Sequence, residues 1–236
     1  MRRAGRIVAV VLERLAASVA PGITTEELNK IAEEETKKNN AIPSFLGYKG
    51  FPASICTSVN DEIVHGIPSK RVLNDGDIVS IDFGAVYNGF QGDSAITVAV
   101  GKISADARKL MKATRQALNA GIAKARDGVH LGDVSAAIQK HVEAKGFSIV
   151  REYVGHGIGR DMHEEPQIPN FGQAGRGPIL RKGMTLAIEP MVNSGGWQTR
   201  LTDSGWTVVT ADGSLSAHFE HTIAVTNGRA EILTAL

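Results

Sequence analysis

The sequence has a single cysteine, Cys56, among its 236 residues. One cysteine excludes an intramolecular disulfide, and it excludes a zinc site that is closed by several thiolates. Because chains without disulfides are typical of reducing compartments, we expect a cytoplasmic protein.

Long apolar runs and an excess of charge of one sign are also missing. No segment approaches the roughly 20 apolar residues that a membrane span needs. The apolar run at 7–12 follows a basic N-terminus in the manner of a signal peptide, but Glu13-Arg14 ends it and apolar residues continue at helical spacing. The chain has 26 basic and 25 acidic residues, so its charge favours neither nucleic acid nor a membrane as partner.

Apolar sequence is present in sufficient amount for one large core. Hydrophobic residues make up 42% of the chain, and a chain of this length can fold as one domain or two. We predict a single domain over residues 1–236.

Turn and cap signals predict two helices at the N-terminus, followed by strands. A helix from Arg2 to about Ala20 ends at Pro21-Gly22, and Thr24 with Glu27 has the spacing of a capping box for a second helix. Alternating or β-branched segments predict strands at 53–59, 77–83 and 94–100.

The dipeptide Asn88-Gly89 is typical of a two-residue hairpin turn between the last two strands. With these as central residues, Asp82 lies opposite Ala95, and Asp93 becomes its diagonal neighbour on the same face. Both carboxylates then project together. The alternative is that one of them caps a turn in a solvated loop.

The middle of the chain repeats the plan of its beginning. Ser104 is suited to cap a helix that runs to about Arg126, Gly128 breaks it, and residues 132–145 form a further helix. A shift of 106 residues aligns Gly22 with Gly128. The repeat predicts two similar halves whose helices cover a sheet, with a site between them.

Five residues that can bind a metal lie far apart in the chain, each inside a short motif. They are Asp82, Asp93, His156, Glu189 and Glu220. Four carboxylates and one imidazole suit two divalent cations about 3.5–4 Å apart, because bridging carboxylates offset the charge of the ions. Oxygen-rich ligation with one nitrogen favours Co, Mn, Fe(II) or Zn over a structural zinc cage.

The second half carries its candidate ligands on or beside strand-like segments. The segment 149–154 leads into His156, 184–188 leads into Glu189, and Glu220 precedes 222–225. Strands let distant ligands converge on one rigid face. Glycines at 155, 157 and 159 are expected to allow close backbone approach and unusual φ angles around His156.

Other interpretations of these motifs are weaker. The glycines around His156 lack the spacing of a dinucleotide fingerprint, and no helix pattern follows them. No paired base is indicated for Cys56 as a nucleophile, and a lone cysteine is more often a small buried apolar residue. His218 and His221 flank Glu220 and are interpreted as structural residues or as neighbours of ligands.

Taken together, the motifs closely resemble those of the type I methionine aminopeptidases, in the M24 family of pita-bread metallopeptidases. The resemblance runs from Ala4 to about Ile232, and its most specific parts are the segments 64–68, 155–159, 162–166, 188–191 and 220–222. It implies an α+β pita-bread fold with two pseudo-symmetric halves, in which helices cover an antiparallel sheet. No zinc-binding or basic N-terminal extension is seen, so we expect the minimal bacterial form.

The resemblance also implies an activity, which is removal of the initiator methionine when the second residue is small. In that reading Asp82 binds one metal ion, His156 and Glu189 bind the other, and Asp93 and Glu220 bridge the two.

Three residues are assigned catalytic roles by the same resemblance. His65 lies near the leaving amine and assists proton transfer, whereas His163 donates a hydrogen bond to the carbonyl oxygen as it becomes an oxyanion. Glu189 accepts the proton of the attacking water and passes it toward the new amine.

Substrate choice is expected to come from an apolar pocket for the methionine side chain. By resemblance its walls are Tyr48, Phe51, Cys56, Met162 and Trp206, with Phe45 close by; His65 and His163 also contact the substrate. Ordinary core packing is the alternative for each apolar residue.

Two rival functions share the expected fold. A proline-directed peptidase has similar ligands, but such relatives carry a large N-terminal domain, which we do not expect here. A non-catalytic binding module would have lost ligands, and all five are present. We therefore expect a monomeric enzyme that acts on nascent polypeptides near the ribosome, without a nucleic-acid or membrane partner.

Overall fold

The computed structural model describes all residues from Met1 to Leu236. Its four helices are α1 (Arg2–Ser18), α2 (Thr25–Lys38), α3 (Ala105–Ile122) and α4 (Leu131–Glu143). Its fifteen strands are β1 (Ile42–Pro43), β2 (Cys56–Val59), β3 (Glu62–Val64), β4 (Ile78–Tyr87), β5 (Phe90–Ala99), β6 (Ser148–Ile149), β7 (Gly155–Gly157), β8 (Glu164–Ile168), β9 (Thr185–Ile188), β10 (Met191–Asn193), β11 (Thr199–Leu201), β12 (Val208–Thr210), β13 (Ser216–His218), β14 (His221–Ala224) and β15 (Glu231–Ile232). No helix is both long and apolar enough to span a lipid bilayer.

Local side-chain chemistry fixes where α2 and α3 begin. The Thr24 hydroxyl accepts a hydrogen bond from the Glu27 amide at 3.2 Å, and the Glu27 carboxylate accepts one from the Thr24 amide at 2.8 Å. This capping box satisfies amides that α2 itself leaves unpaired. The Ser104 hydroxyl caps α3 by accepting from the Ala107 amide at 3.1 Å. Both predicted caps are confirmed.

The longest hairpin has the predicted register. Strands β4 and β5 pair along their whole length, with Asp82 opposite Ala95 and Asp93 opposite Gly84. The turn residues have φ angles of 49° at Asn88 and 75° at Gly89. Two successive positive φ angles are the signature of the tight turn that matches the twist of paired strands.

Two antiparallel sheets dominate the fold. In the first, β4 pairs with β5 on one edge and with β1 and β2 on the other. The second has the order β15-β14-β9-β7-β8, and two three-stranded sheets, β13-β10-β6 and β11-β12-β3, adjoin them. Helices α1 and α2 cover the first sheet around one apolar core. Helices α3 and α4 cover the β13-β10-β6 sheet and, through β9, the second sheet around a larger one.

Hydrogen bonds repeat between the two halves of the chain. The Gly22 amide donates to the Leu73 carbonyl at 2.8 Å, and the Gly128 amide donates to the Leu180 carbonyl at 2.9 Å. Both glycines have positive φ, 99° and 81°, which only glycine adopts without cost. The repeat therefore extends from sequence to backbone geometry, and the predicted α+β architecture of two similar halves is confirmed.

One predicted strand is wrong. The segment 149–154 is extended only at Ile149, where β6 pairs with Val192 of β10, and the chain bends at 151–153. The bend is required because the chain leaves the sheet of β6 and enters the sheet of β7 within these few residues.

The halves meet along β5. The Thr97 hydroxyl donates to the His218 carbonyl at 2.8 Å, the Glu220 amide donates to the Ala95 carbonyl at 2.9 Å, and the Asp93 amide donates to the Thr222 hydroxyl at 3.0 Å. This seam places Asp93 and Glu220 side by side.

Candidate active site

All five predicted ligands line one cavity of about 280 Å³ between the two halves. Its remaining walls are two histidines, five apolar or aromatic residues and one lysine, namely His65, His163, Phe45, Tyr48, Phe51, Cys56, Trp206 and Lys49. The structure thus joins the predicted ligands to most of the predicted substrate pocket.

Three of the ligands form a tight group. One ligand atom from each of Asp93, His156 and Glu220 lies within 4.8 Å of the others. The Nε2 atom of His156 is 4.0 Å from Asp93 Oδ2 and 3.6 Å from Glu189 Oε1. Asp82 lies outside the tight group but lines the same cavity. It is the diagonal neighbour of Asp93 across strands β4 and β5, so the two side chains share one face of the hairpin.

His156 is presented as a neutral metal ligand. Its Nδ1 atom lies 2.8 Å from the Gly157 carbonyl, and since a carbonyl only accepts, Nδ1 carries the proton. The lone pair of Nε2 is then directed toward the carboxylates. Burial lowers the pKa of His156 to about 4, so the ring remains neutral near pH 7.

The glycines beside His156 are required by close packing. A Cβ atom on Gly155 would overlap the Ala187 carbonyl oxygen, and one on Gly157 would overlap the Glu165 carbonyl oxygen. The predicted close approach is confirmed. The predicted unusual backbone angles are wrong, because none of the three glycines in 155–159 has a positive φ. A positive φ occurs instead at His65, at 58°.

The carboxylates lack compensation from the protein. Burial, with the charges of Asp93 and Glu189, raises the pKa of Asp82 well above its ordinary value, and burial raises the pKa of Asp93 to about 7. Burial and neighbouring carboxylates also raise the pKa values of Glu189 and Glu220. No cationic side chain of the protein pairs with any of the four.

Orphaned oxygens make this donor set suitable for cations. Buried carboxylate oxygens of Asp82, Asp93 and Glu220 have no hydrogen-bond partner. Buried carboxylates of this kind are costly unless they are paired or bind a metal. Oxygen donors with a single imidazole suit divalent ions such as Mn, Fe(II), Co and Zn. The residues therefore fit metal ions in this cavity.

The two remaining histidines are also held as neutral rings. The Tyr48 hydroxyl lies 2.8 Å from His163 Nδ1, and the two rings stack with centroids 5.4 Å apart. Desolvation and the charge of Lys49 lower the pKa of His163, and burial with the influence of His163 lowers that of His65 to about 4. A phenol that donates to Nδ1 leaves the His163 proton on Nε2, which is then free to donate.

The apolar part of the cavity is tightly packed. Phe51 and Trp206 meet edge to face at 5.1 Å, and Cys56 is buried beside Phe51. Met162 is 3% exposed and does not line the cavity. It packs with Ile158 and Ala187, behind Phe45 and Tyr48. Met162 thus supports the wall from behind.

Sequence reasoning missed two neighbours of the site. Lys49, whose own φ angle is 50°, lines the cavity. Buried Asn170 donates a hydrogen bond from its side-chain amide to the Glu189 carbonyl at 3.1 Å. Neither lies in a recognisable motif. The positive φ at Lys49 depends on the turn between Gly47 and Phe51, which gives no clear sequence signal.

Comparison with known proteins agrees with this geometry. The family described as Metallopeptidase family M24 matches residues 1–227. A methionine aminopeptidase 1 of Bacillus subtilis is 56% identical over 234 residues, which cover 99% of this chain and 94% of the relative. A methionine aminopeptidase of Clostridium acetobutylicum is 55% identical over 235 residues, 99% of this chain and 94% of the relative. The chain belongs to metallopeptidase family M24 and, within it, to the bacterial methionine aminopeptidases.

Solved structures of the M24 family share the fold. The methionine aminopeptidase of Thermotoga maritima superposes with a TM-score of 0.99 at 49% identity, covering 100% of this chain and 95% of that one. A prolidase of Pyrococcus furiosus superposes with a TM-score of 0.79 at 21% identity, covering 63% of its length. The similarity to the prolidase shows that methionine aminopeptidases and prolidases share the pita-bread fold.

The raised carboxylate pKa values predict how stability depends on pH. The folded, metal-free protein keeps the proton of Asp93 to about pH 7, whereas the unfolded chain releases it near pH 4. The Asp93 contribution is therefore mostly lost by pH 7. From pH 7 to 8.5 the folded state still binds protons on Asp82, Glu189 and Glu220, whose pKa values lie well above their ordinary range, and the unfolded chain has released these protons, so stability falls with pH. Histidines with lowered pKa values are largely neutral in both states over this range. We expect the melting temperature of chelator-treated protein to fall across this range, as measured by circular dichroism.

Addition of Mn(II) tests the same electrostatic account. Ligand carboxylates must be deprotonated, so the ion should raise the melting temperature more at pH 8.5 than at pH 6. Asp93→Asn is the matched variant, because it removes one of the four titrating carboxylates with little change in shape. A metal-free melting temperature that rises from pH 7 to 8.5 contradicts the account.

Proposed function

We propose that this enzyme removes the N-terminal methionine from polypeptides whose second residue is small. The observation that carries the proposal is a single cavity that joins four carboxylates and His156 to two neutral histidines and an apolar wall. An aminopeptidase needs these parts together, because the scissile bond lies one residue from the side chain that is recognised. The relatives named above support this choice.

The proposed cofactor is a pair of divalent cations, Co, Mn, Fe(II) or Zn. Asp82 would hold one ion, His156 and Glu189 the other, and Asp93 and Glu220 both. Ions bound there would activate water for attack on the peptide carbonyl and polarise that carbonyl.

The protein's own groups would hold and move protons. Glu189 accepts the proton of the attacking water and passes it toward the departing amine. His163, with Nδ1 occupied by Tyr48, donates from Nε2 to the carbonyl oxygen as negative charge develops on it. His65, across the cavity beside Trp206 and Tyr153, assists proton transfer at the leaving amine.

The methionine side chain is assigned to the apolar wall. Tyr48, Phe51, Cys56 and Trp206 would contact it directly, and Met162 would stiffen the wall by packing behind Tyr48. The cavity is small, at about 280 Å³, which leaves little room for the next side chain near the ligands. We further propose that the enzyme acts as a monomer in the cytoplasm, on nascent chains near the ribosome.

Peptide hydrolysis tests the proposal. We expect Met-Ala-Ser and Met-Gly-Ser to be cleaved efficiently by Mn(II)-loaded enzyme, and Met-Lys-Ser about 10²-fold more slowly, because a misplacement of about 1 Å has an effect of this size. Leu-Ala-Ser should also be poor. The measurement is kcat/KM by quantifying the released amino acid.

Matched peptides separate this activity from its rivals. Comparable kcat/KM for Met-Ala-Ser, Met-Lys-Ser and Leu-Ala-Ser would identify a general aminopeptidase and contradict the assigned methionine pocket. Preference for Ala-Pro over Met-Ala-Ser would identify a proline-directed peptidase.

A further inference from the structure

A buried histidine outside the ligand set is directed at Glu189. His218 is 1% exposed, and its Nε2 atom lies 3.6 Å from Glu189 Oε2. That Nε2 atom has no hydrogen-bond partner. The other oxygen, Oε1, lies 3.6 Å from Nε2 of His156. Two imidazoles therefore flank the two oxygens of one carboxylate.

The backbone of His218 is fixed in the seam between the halves. Its amide donates to the Thr97 hydroxyl at 2.9 Å, and its carbonyl accepts from the same hydroxyl at 2.8 Å. Strand β13 also pairs His218 with Met191 of β10. The imidazole is thus carried by a rigid segment, as a group that orients another side chain must be.

The backbone of Glu189 is fixed as well, so only its side-chain torsions remain free. Asn170 is fully buried and donates to the Glu189 carbonyl at 3.1 Å. A buried ring N–H without an acceptor costs free energy, and a hydrogen bond to a carboxylate is among the stronger ones. A movement of the Glu189 side chain by a few tenths of an ångström brings its Oε2 atom within hydrogen-bonding distance of His218 Nε2.

We propose that His218 is a positioning residue for Glu189. Its Nε2–H donates to Glu189 Oε2, which leaves Oε1 on the His156 side to face the metal ion and the attacking water. His218 itself contacts neither substrate nor ion. The inference rests on the proposed function, in which Glu189 is both ligand and proton acceptor.

Three substitutions at one position test the proposal. His218→Leu fills the space without a donor, His218→Gln retains an N–H donor of similar reach, and His218→Asn carries the same amide one methylene shorter. His141→Leu is the matched control, because its Nε2 is also enclosed without a partner but lies in α4, away from the cavity. The measurements are kcat and KM for Met-Ala-Ser, the Kd of Mn(II) by calorimetry, and the melting temperature.

We expect His218→Leu and His218→Asn to lower kcat and to weaken Mn(II) binding by roughly 10–100-fold, the usual range for loss of a partner of a metal ligand. KM should change little, because the apolar wall is untouched. His218→Gln should restore most of both losses, and His141→Leu should match the wild type. If His218→Leu does not fold, the proposal is tested by comparing the kcat and the Mn(II) affinity of the Gln variant with those of the Asn variant.

The proposal would be overturned if the Leu or Asn variant kept the kcat and the Mn(II) affinity of the wild type. It would also be overturned if the Gln variant folded but lost as much kcat and Mn(II) affinity as the Leu variant. Failure of the wild type to cleave Met-Ala-Ser would count against the proposed function instead. The Mn(II) affinities of the variants would still test the role of His218.

Discussion

Replacement of Asp93 or Glu220 by alanine is expected to abolish hydrolysis of Met-Ala-Ser. The loss should exceed the roughly 10²-fold that follows removal of a mere partner of a metal ligand. Asp93 and Glu220 lie side by side in the seam, each with a buried oxygen that lacks a protein donor. Because each is assigned to both ions, either substitution should also lower the amount of metal bound, as measured by mass spectrometry of metal content.

The control is an acidic residue far from the cavity. Glu34 is exposed on α2, so Glu34→Ala should leave turnover and metal content unchanged. Near-wild-type turnover in Asp93→Ala or Glu220→Ala under limiting Mn(II) would show that the bridging assignment is wrong.

Replacement of His163 by alanine is expected to lower kcat by roughly 10²–10³, as for loss of one oxyanion donor. The Tyr48 hydroxyl occupies Nδ1 of His163, so only Nε2 can serve the substrate. The donor acts on charge that develops during the reaction, and KM should therefore change little. Steady-state kinetics with Met-Ala-Ser provides the measurement.

Two further variants define the role of His163. His163→Gln keeps an N–H donor and should recover part of the lost kcat. His130→Ala should have no effect on kcat, because His130 precedes α4, with Nδ1 2.9 Å from the Gly177 carbonyl, and does not line the cavity. If His163→Ala increases KM and leaves kcat unchanged, the assigned oxyanion role is wrong and His163 serves only to bind the substrate.

Local chemistry explains why much of the fold was predictable from sequence. The Asn88-Gly89 turn permits one register, and that register alone brings Asp82 and Asp93 to neighbouring positions. The Thr24–Glu27 capping box and the Ser104 cap are likewise short-range hydrogen bonds that the sequence specifies directly. The candidate ligands were identifiable because each motif places a carboxylate or imidazole beside a strand.

Features that depend on distant packing were not predictable. The segment after Ile149 is β-branched and aromatic enough for a strand, but it has to change sheets and therefore bends. Met162 adjoins His163 in the chain, but its side chain packs against Ile158 and Ala187 and does not line the cavity. Asn170 contacts Glu189 from a distant loop, so no local pattern reveals it. His218 is interpreted from sequence as a structural residue or a neighbour of a ligand, but its position beside Glu220 in the chain does not show that it faces Glu189.

The central claim is that five distant residues hold two catalytic cations between the halves of this fold. Anomalous diffraction from crystals grown with Mn(II) tests it most directly. The account predicts two peaks roughly 3.5–4 Å apart, with Asp93 and Glu220 contacting both, Asp82 contacting one, and His156 with Glu189 contacting the other. Peaks outside this cavity, or a single ion that leaves Asp82 or Glu189 without a metal contact, would contradict it.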